Sequence, residues 1–286
     1  MHQIESMPTA PYSRRLGSQE EAEEVSDQMR RLVATSRGEL SVESIGDGPD
    51  LILLHSLLTD KDAFDPIIPL LSERWRLTKV GLPGFDGSTR CEARIDAFAD
   101  SVGALLEAEG IDPDTTTLVG NGFGGFVALG AAIRHGDRFN RLVLIGCGTG
   151  FAPEAAKVFD TMSSKVAEGG MASIVDIALG RIFTAAYLAD HPDEAEERRQ
   201  VLLRTDPESF IIAARALQSV DYSAEVADVQ NPTLIVVGSE DQATPPAMGE
   251  DLARRMPAAT FRVLPGLAHA PQLQDPAALV DAIRFP

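Results

Sequence analysis

Apolar positions along this chain gather into two kinds of run. Short continuous stretches of Leu, Ile and Val, bounded by Gly, Pro or Asp, occur at 50–55, 77–80, 115–119, 141–145, 233–237 and 260–264. A strand buried on both faces has no polar side to display, so runs of this kind predict the inner strands of a parallel sheet. Two more strands are expected ahead of them, near 32–35 and 39–45. Between most of the runs, apolar residues recur at helical spacing, over 63–73, 95–109, 123–134 and 247–256. Strand and helix in alternation predict a doubly wound α/β sheet, with any ligand site beyond the carboxyl ends of the strands.

The alternation stops between 151 and 230. There the segments VFDTMSSKVAEGG, SIVDIALGRIFTAAYL, DEAEERRQVLL and PESFIIAARALQSV are all helical in type. The chain therefore divides into an N-terminal arm and helix over 1–31, an α/β core over 32–150 and 231–286, and a helical cap over 151–230 inserted into that core. The arm is polar to Gly17, and Ser18-Gln19-Glu20-Glu21 then opens an acidic, helix-like stretch running to about Leu32.

Composition narrows the partners. A net charge of −18 opposes nucleic acid, because phosphate needs clustered Lys and Arg. The expected partner is a small-molecule substrate, with no nucleic acid and no membrane, and the sequence specifies no oligomeric state. Cys91 and Cys147 are far apart and form no metal-ligand spacing, so no disulfide, metal or cofactor is expected. No apolar run approaches the ~20 residues of a membrane helix, and the first residues lack the apolar middle of a signal peptide. A cytoplasmic location follows as the expectation.

The segment Thr117-Leu-Val-Gly120-Asn121-Gly122-Phe123-Gly124-Gly125 reads as a strand, a sharp turn and a helix start, the form of a nucleophile elbow. Small residues are needed at 120 and 124 because side chains there would strike the neighbouring strand and helix. The central position, where a serine would attack, is Gly122. Gly120, Gly122 and Gly125 also fit G-x-G-x-x-G. That motif binds dinucleotides at the first strand of a unit and needs an acidic residue after the next strand, and neither condition holds here.

At these residues the chain resembles the α/β-hydrolase superfamily, from about Leu32 to Pro286. The stretches HSLLTDKDAFDPIIPLL, TDPESFIIAARAL and GSEDQATPP are similar to 3-oxoadipate enol-lactonases, and GNGFGG resembles the GNSFGG elbow of meta-cleavage-product hydrolases with one letter changed. The resemblance implies an eight-stranded, mostly parallel sheet with an inserted helical cap. It also implies that Asp241, after one core strand, is the triad acid, and that His269, after the last strand, is the base.

The chemistry of these parts can be stated independently. A histidine at a strand end serves as general base when a carboxylate orients it. The backbone N–H groups of Phe123 and Leu57 would form an oxyanion hole, and neither depends on the side chain at 122. Ser56, His55, Asn121 and Cys147 lie beside these motifs and are candidate substrate contacts. Of these, His55 at an apolar strand end reads more readily as a structural hydrogen-bonded residue. Ser56 and Cys147 could also supply a nucleophile, although Ser56 would approach His269 from the wrong side of the carbonyl. Arg181, Arg204 and Arg215 are candidates to grip a substrate carboxylate.

The expected function is hydrolysis of an ester, lactone or activated carbonyl in a small, carboxylate-bearing molecule. With glycine at 122, the chain is either an inactivated serine hydrolase or an enzyme in which His269 and Asp241 activate a water in the vacated volume. Two other functions fit the same residues: a cofactor-free lyase, isomerase or oxygenase using the pair as proton shuttle, and a ligand-binding pseudoenzyme.

Overall fold

Eight strands form one sheet in a computed structural model that describes residues 30–283. They are β1 (Arg30–Thr35), β2 (Gly38–Ile45), β3 (Asp50–Leu54), β4 (Arg76–Val80), β5 (Thr117–Asn121), β6 (Arg141–Ile145), β7 (Thr233–Gly238) and β8 (Ala259–Leu264). Their order is β1-β2-β4-β3-β5-β6-β7-β8; β2 pairs antiparallel with β1 and β4, and the remaining pairs are parallel. This is the eight-stranded, mostly parallel sheet with flanking helices of the α/β-hydrolase fold. β1 begins at Arg30, two residues earlier than expected, and the helix expected from Ser18 falls mostly outside the described residues.

The inner strands β3, β5 and β7 are buried at every position. Side chains alternate between two apolar layers, as the two-residue period of a strand requires. Ile52 and Leu54 of β3 enter the larger layer with Leu118 of β5, while Leu51 and Leu53 enter the smaller one with Val119. The edge strand β8 is exposed or half-exposed except at Leu264, which is buried.

Eleven helices accompany the sheet among the described residues. The span 63–73, expected as one helix, is instead a 3-10 segment over Lys61–Ile67 followed by the single turn α1 (Ile68–Leu71). Pro66 and Pro69 lack N–H groups and disrupt a continuous hydrogen-bond ladder there. Next come α2 (Ile95–Ala108) and α3 (Phe123–His135), which pack together against the larger apolar layer. Between β6 and β7 lie α4 (Pro153–Gly169), α5 (Val175–Ile182), α6 (Ala185–Asp190), α7 (Pro192–Arg204) and α8 (Pro207–Ser219). After β7 come α9 (Pro246–Arg255), α10 (Pro271–Gln274) and α11 (Pro276–Ile283). No helix among the described residues is long and apolar enough to cross a membrane.

The strand order fixes where a site can form. β3 has β4 on one side and β5 on the other, so the chain winds away from it in both directions. Loops leaving the carboxyl ends of β3 and β5 diverge at such a switch point and open a crevice. Ser56 follows β3 by two residues, and Gly122 follows β5 by one.

Candidate active site

The turn after β5 is as sharp as the glycine spacing predicts. A Cβ at Gly120 would lie 2.2 Å from Gly124 O, and one at Gly124 would lie 2.1 Å from Leu54 O. Gly122 itself caps the start of α3 at φ 52°, ψ −114°, a conformation L side chains adopt only under strain. The turn is tied to the neighbouring loop by Gly124 N–H, which donates to His55 O at 2.9 Å.

Asp241 and His269, from loops after β7 and β8, meet in the crevice. His269 Nδ1–H donates to Asp241 Oδ2 at 2.9 Å, and both residues are buried. The carboxylate is fully supplied with donors. Its Oδ1 accepts from the N–H groups of Ala243 at 2.8 Å and Thr244 at 2.9 Å, and its Oδ2 also accepts from the Thr244 hydroxyl at 2.9 Å. Burial pushes the Asp241 carboxyl up, but His269 and the Thr244 donors outweigh it and hold the group below its ordinary range. Asp241 is therefore an anion over the working range of pH.

The other imidazole nitrogen faces Ser56. The Ser56 hydroxyl donates to His269 Nε2 at 3.2 Å. A Cβ built on Gly122 would fall 2.4 Å from that Nε2 and 2.5 Å from Ser56 Oγ. The volume above the bare turn, expected from the sequence to admit a water, is thus occupied by the imidazole edge and the Ser56 hydroxyl.

Leu57 and Phe123 line the same cleft, and among the described residues neither backbone N–H has a hydrogen-bond partner. For Phe123 this follows from its place in the first turn of α3, whose leading N–H groups have no partner within the helix. Two donors without a partner thus belong to residues that line one cleft with His269 and Ser56. The cleft is narrow, with a free volume of about 30 Å³. Its walls are mostly apolar, from Phe126, Phe151, Phe159, Met162 and Leu217, with one cation, Arg181.

Three expected substrate contacts lie elsewhere. His55 is fully buried below the crevice: its Nδ1–H donates to Ser56 O at 2.8 Å, its Nε2 accepts from Leu82 N–H at 3.2 Å, and its ring meets Phe85 edge-on. It braces the loop that carries Ser56. Asn121 is also buried, with its amide donating to His269 O at 2.8 Å and to Ile145 O at 3.3 Å and its carbonyl accepting from Gln272 at 2.9 Å. It holds the backbone of His269 in place. Cys147 donates its thiol to Gly148 O and is buried away from the cleft lining, and burial raises its pKa well above the usual thiol range. Strand-end polar residues here turn into the frame because unpaired backbone carbonyls at the turns require donors.

Arg181 and Thr244 complete the site. The Arg181 guanidinium, on α5, is half-buried and donates to Ala243 O at 3.4 Å; among the described residues no carboxylate lies within ion-pair distance of it. Burial disfavours its charge, and Asp241 partly offsets that effect. Arg204 and Arg215, the other two sequence candidates, are exposed and do not line the cleft. Thr244 was legible in principle, since a side chain accepting N–H bonds two and three residues on is the Asx-turn geometry expected of Asp-Gln-Ala-Thr. Among the described residues, no group of three or more His, Cys, Asp or Glu converges in a way suited to a metal ion.

A parallel sheet, an elbow after β5 and an Asp–His pair after β7 and β8 define a hydrolase-type site. Residues 51–282 match the alpha/beta hydrolase family, and the chain belongs to it. Among curated proteins it is similar to the pimeloyl-[acyl-carrier protein] methyl ester esterase of Nitrosomonas europaea, 27% identical over 251 residues that cover 85% of this chain and 97% of the relative. Among solved structures it is similar to the enol-lactonase of Burkholderia xenovorans LB400, with a TM-score of 0.82, 25% identity, and coverage of 88% of this chain and 98% of the other. It is also similar to a thermophilic esterase of Thermogutta terrifontis solved with malate bound, with a TM-score of 0.80, 27% identity, and coverage of 89% and 96%.

Proposed function

We propose that this chain hydrolyses a small ester or lactone bearing a carboxylate, with His269 as general base, Asp241 as its anchor, and the N–H groups of Leu57 and Phe123 as the oxyanion hole. One observation carries the reading: the Nε2 of a carboxylate-anchored imidazole faces a hydroxyl in a cleft where two backbone N–H groups have no other partner. Such an imidazole can take a proton from an attacking oxygen as the carbonyl oxygen becomes negative. Each N–H aimed at that oxygen lowers the barrier by about 3 kcal/mol in comparable sites. The names of the similar proteins, a methyl ester esterase, an enol-lactonase and an esterase, support the same bond type.

The apolar walls suit a hydrocarbon portion of the substrate, and Arg181 suits a carboxylate at one end, since a half-buried guanidinium without an acidic partner favours an anion. The test is hydrolysis of p-nitrophenyl and methyl esters by the purified protein. Turnover should fall at least about a thousandfold in His269→Ala, as for removal of a triad base. Ester hydrolysis that survives His269→Ala undiminished, or its absence from the parent protein across both ester series, would overturn the proposal.

A further inference from the structure

We infer that Ser56 is the nucleophile of this site, so that the attacking hydroxyl has moved from the loop after β5 to the loop after β3. The inference rests on the ester-hydrolase reading and adds the atom that attacks.

Three observations converge on the Ser56 hydroxyl. It donates to His269 Nε2 at 3.2 Å, within the range expected of a nucleophile and its base before substrate binds. It lines the cleft although the residue is otherwise buried, and its oxygen stands 2.5 Å from where a side chain at 122 would begin. A side chain at 122 would displace this hydroxyl from the imidazole, so glycine at 122 leaves Ser56 Oγ free to face Nε2. Furthermore, the backbone groups of Ser56 are already engaged. Its N–H donates to Thr59 Oγ1 at 3.2 Å, and its C=O accepts from His55 Nδ1 at 2.8 Å and from Thr59 N–H at 3.3 Å. The hydroxyl sits on a loop held from both sides, as a nucleophile requires.

The oxyanion hole also remains in place under this exchange. A serine on an elbow uses the N–H of the residue that follows it together with one from the facing loop. With Ser56 attacking, Leu57 is the residue that follows and Phe123 is the facing one. The substrate then presents to Ser56 the carbonyl face opposite to the one an elbow residue at 122 would attack, so the side that is wrong in the family pose becomes the productive one. The same two orphaned N–H groups serve, with their roles interchanged.

The reaction balances without another reagent. The Ser56 Oγ–H proton passes to His269 Nε2 while Oγ bonds to the ester carbon, and the carbonyl oxygen takes the negative charge between Leu57 and Phe123. As the carbonyl re-forms, the alcohol leaves with the proton from Nε2, and the acyl group remains on Ser56. Water, deprotonated by the same Nε2, attacks the acyl carbon; the acid departs and the proton returns to Ser56. Neither cysteine competes for the role. Cys147 is buried outside the cleft lining, and burial pushes the Cys91 thiol up to about 12.

The test treats the full chain with a fluorophosphonate and maps the adduct by mass spectrometry, alongside the stopped-flow burst with p-nitrophenyl acetate. One adduct per chain on the peptide bearing Ser56 is expected, with a burst approaching one equivalent. Ser56→Ala should abolish both and lower turnover about a thousandfold or more. Ser56→Cys should keep a measurable burst that iodoacetamide removes. If Ser56→Ala hydrolyses esters within tenfold of the parent, or the adduct maps to another residue, Ser56 is not the nucleophile. Should His269→Ala then still be inactive, the ester-hydrolase reading stands with water attacking directly. Failure of every ester and every probe on the parent protein sinks both.

Discussion

Gly122→Ser, the change that restores the serine of an ordinary elbow, is expected to damage this protein. The backbone at 122 has φ 52°, ψ −114°, and holding a non-glycine residue in such a conformation costs about 1–3 kcal/mol. The new Cβ would stand 2.4 Å from His269 Nε2 and 2.5 Å from Ser56 Oγ, so both groups must retreat. Loss of the Ser56–His269 hydrogen bond adds about 1 kcal/mol. The total, about 2–4 kcal/mol, corresponds to a melting temperature lower by roughly 3–7 °C for a chain of this size. Differential scanning calorimetry measures it, with Gly122→Ala sharing the backbone strain without a hydroxyl. Pairing Gly122→Ser with Ser56→Gly removes the collision with Ser56 and leaves only that with the imidazole edge, so the double variant should recover about 1 kcal/mol and regain ester hydrolysis, a coupling expected of residues in contact. A Gly122→Ser protein that melts with the parent and hydrolyses esters faster would refute the reasoning, because it would mean that the imidazole and Ser56 do not fill that space.

Three further outcomes are expected. Arg181→Gln should raise KM roughly tenfold or more for an ester carrying a terminal carboxylate, the scale of one charged hydrogen bond, and leave KM for a neutral ester of equal length unchanged; equal losses on both would assign Arg181 a structural role. Thr244→Val removes a donor to Asp241 Oδ2 and should raise that carboxyl toward its unfolded value of about 3.9. Because the folded carboxyl lies below that value, its stabilisation is present above about pH 4 and lost as pH falls through the folded pKa. The acid limb of melting temperature against pH should therefore move upward in Thr244→Val, and an unmoved limb would show that the hydroxyl contributes nothing. Finally, Arg198 of α7 lies 3.6 Å from Asp60, on the loop that carries Ser56, and burial pushes the Asp60 carboxyl up. Arg198→Met leaves that carboxylate without its cation and should cost about 3 kcal/mol in urea unfolding, most of it regained on adding Asp60→Leu.

How far the sequence discloses such a molecule depends on whether a feature is local. The inner strands are legible because burial on both faces leaves only apolar residues to write them with. The elbow is legible because Gly120 and Gly124 are demanded by backbone contacts near 2 Å, a constraint that no larger residue meets. The helix expected over 63–73 failed on a local detail, as Pro66 and Pro69 interrupt an otherwise helical pattern. His55, Asn121 and Cys147 sit at strand ends like the true cleft residues, and only the direction of each side chain separates them. Likewise nothing in their sequence surroundings distinguishes Arg181 from Arg204 and Arg215; the distinction comes from the fold of α5 over the loop after β7.

The position of Ser56 lies furthest from local reading, and the sheet explains why. β3 and β5 are adjacent and parallel, with Leu54 paired to Gly120, so the residues two beyond each partner, Ser56 and Gly122, stand at equal height on either side of one crevice. A base arriving from the far end of the sheet meets both loops at once. Under the proposed reading, the loop that supplies the hydroxyl is the one whose residue keeps a side chain facing the imidazole. In this chain the position without a side chain is 122, and the strand register that makes 56 its counterpart also places on each loop one of the two N–H groups that the proposed oxyanion hole requires.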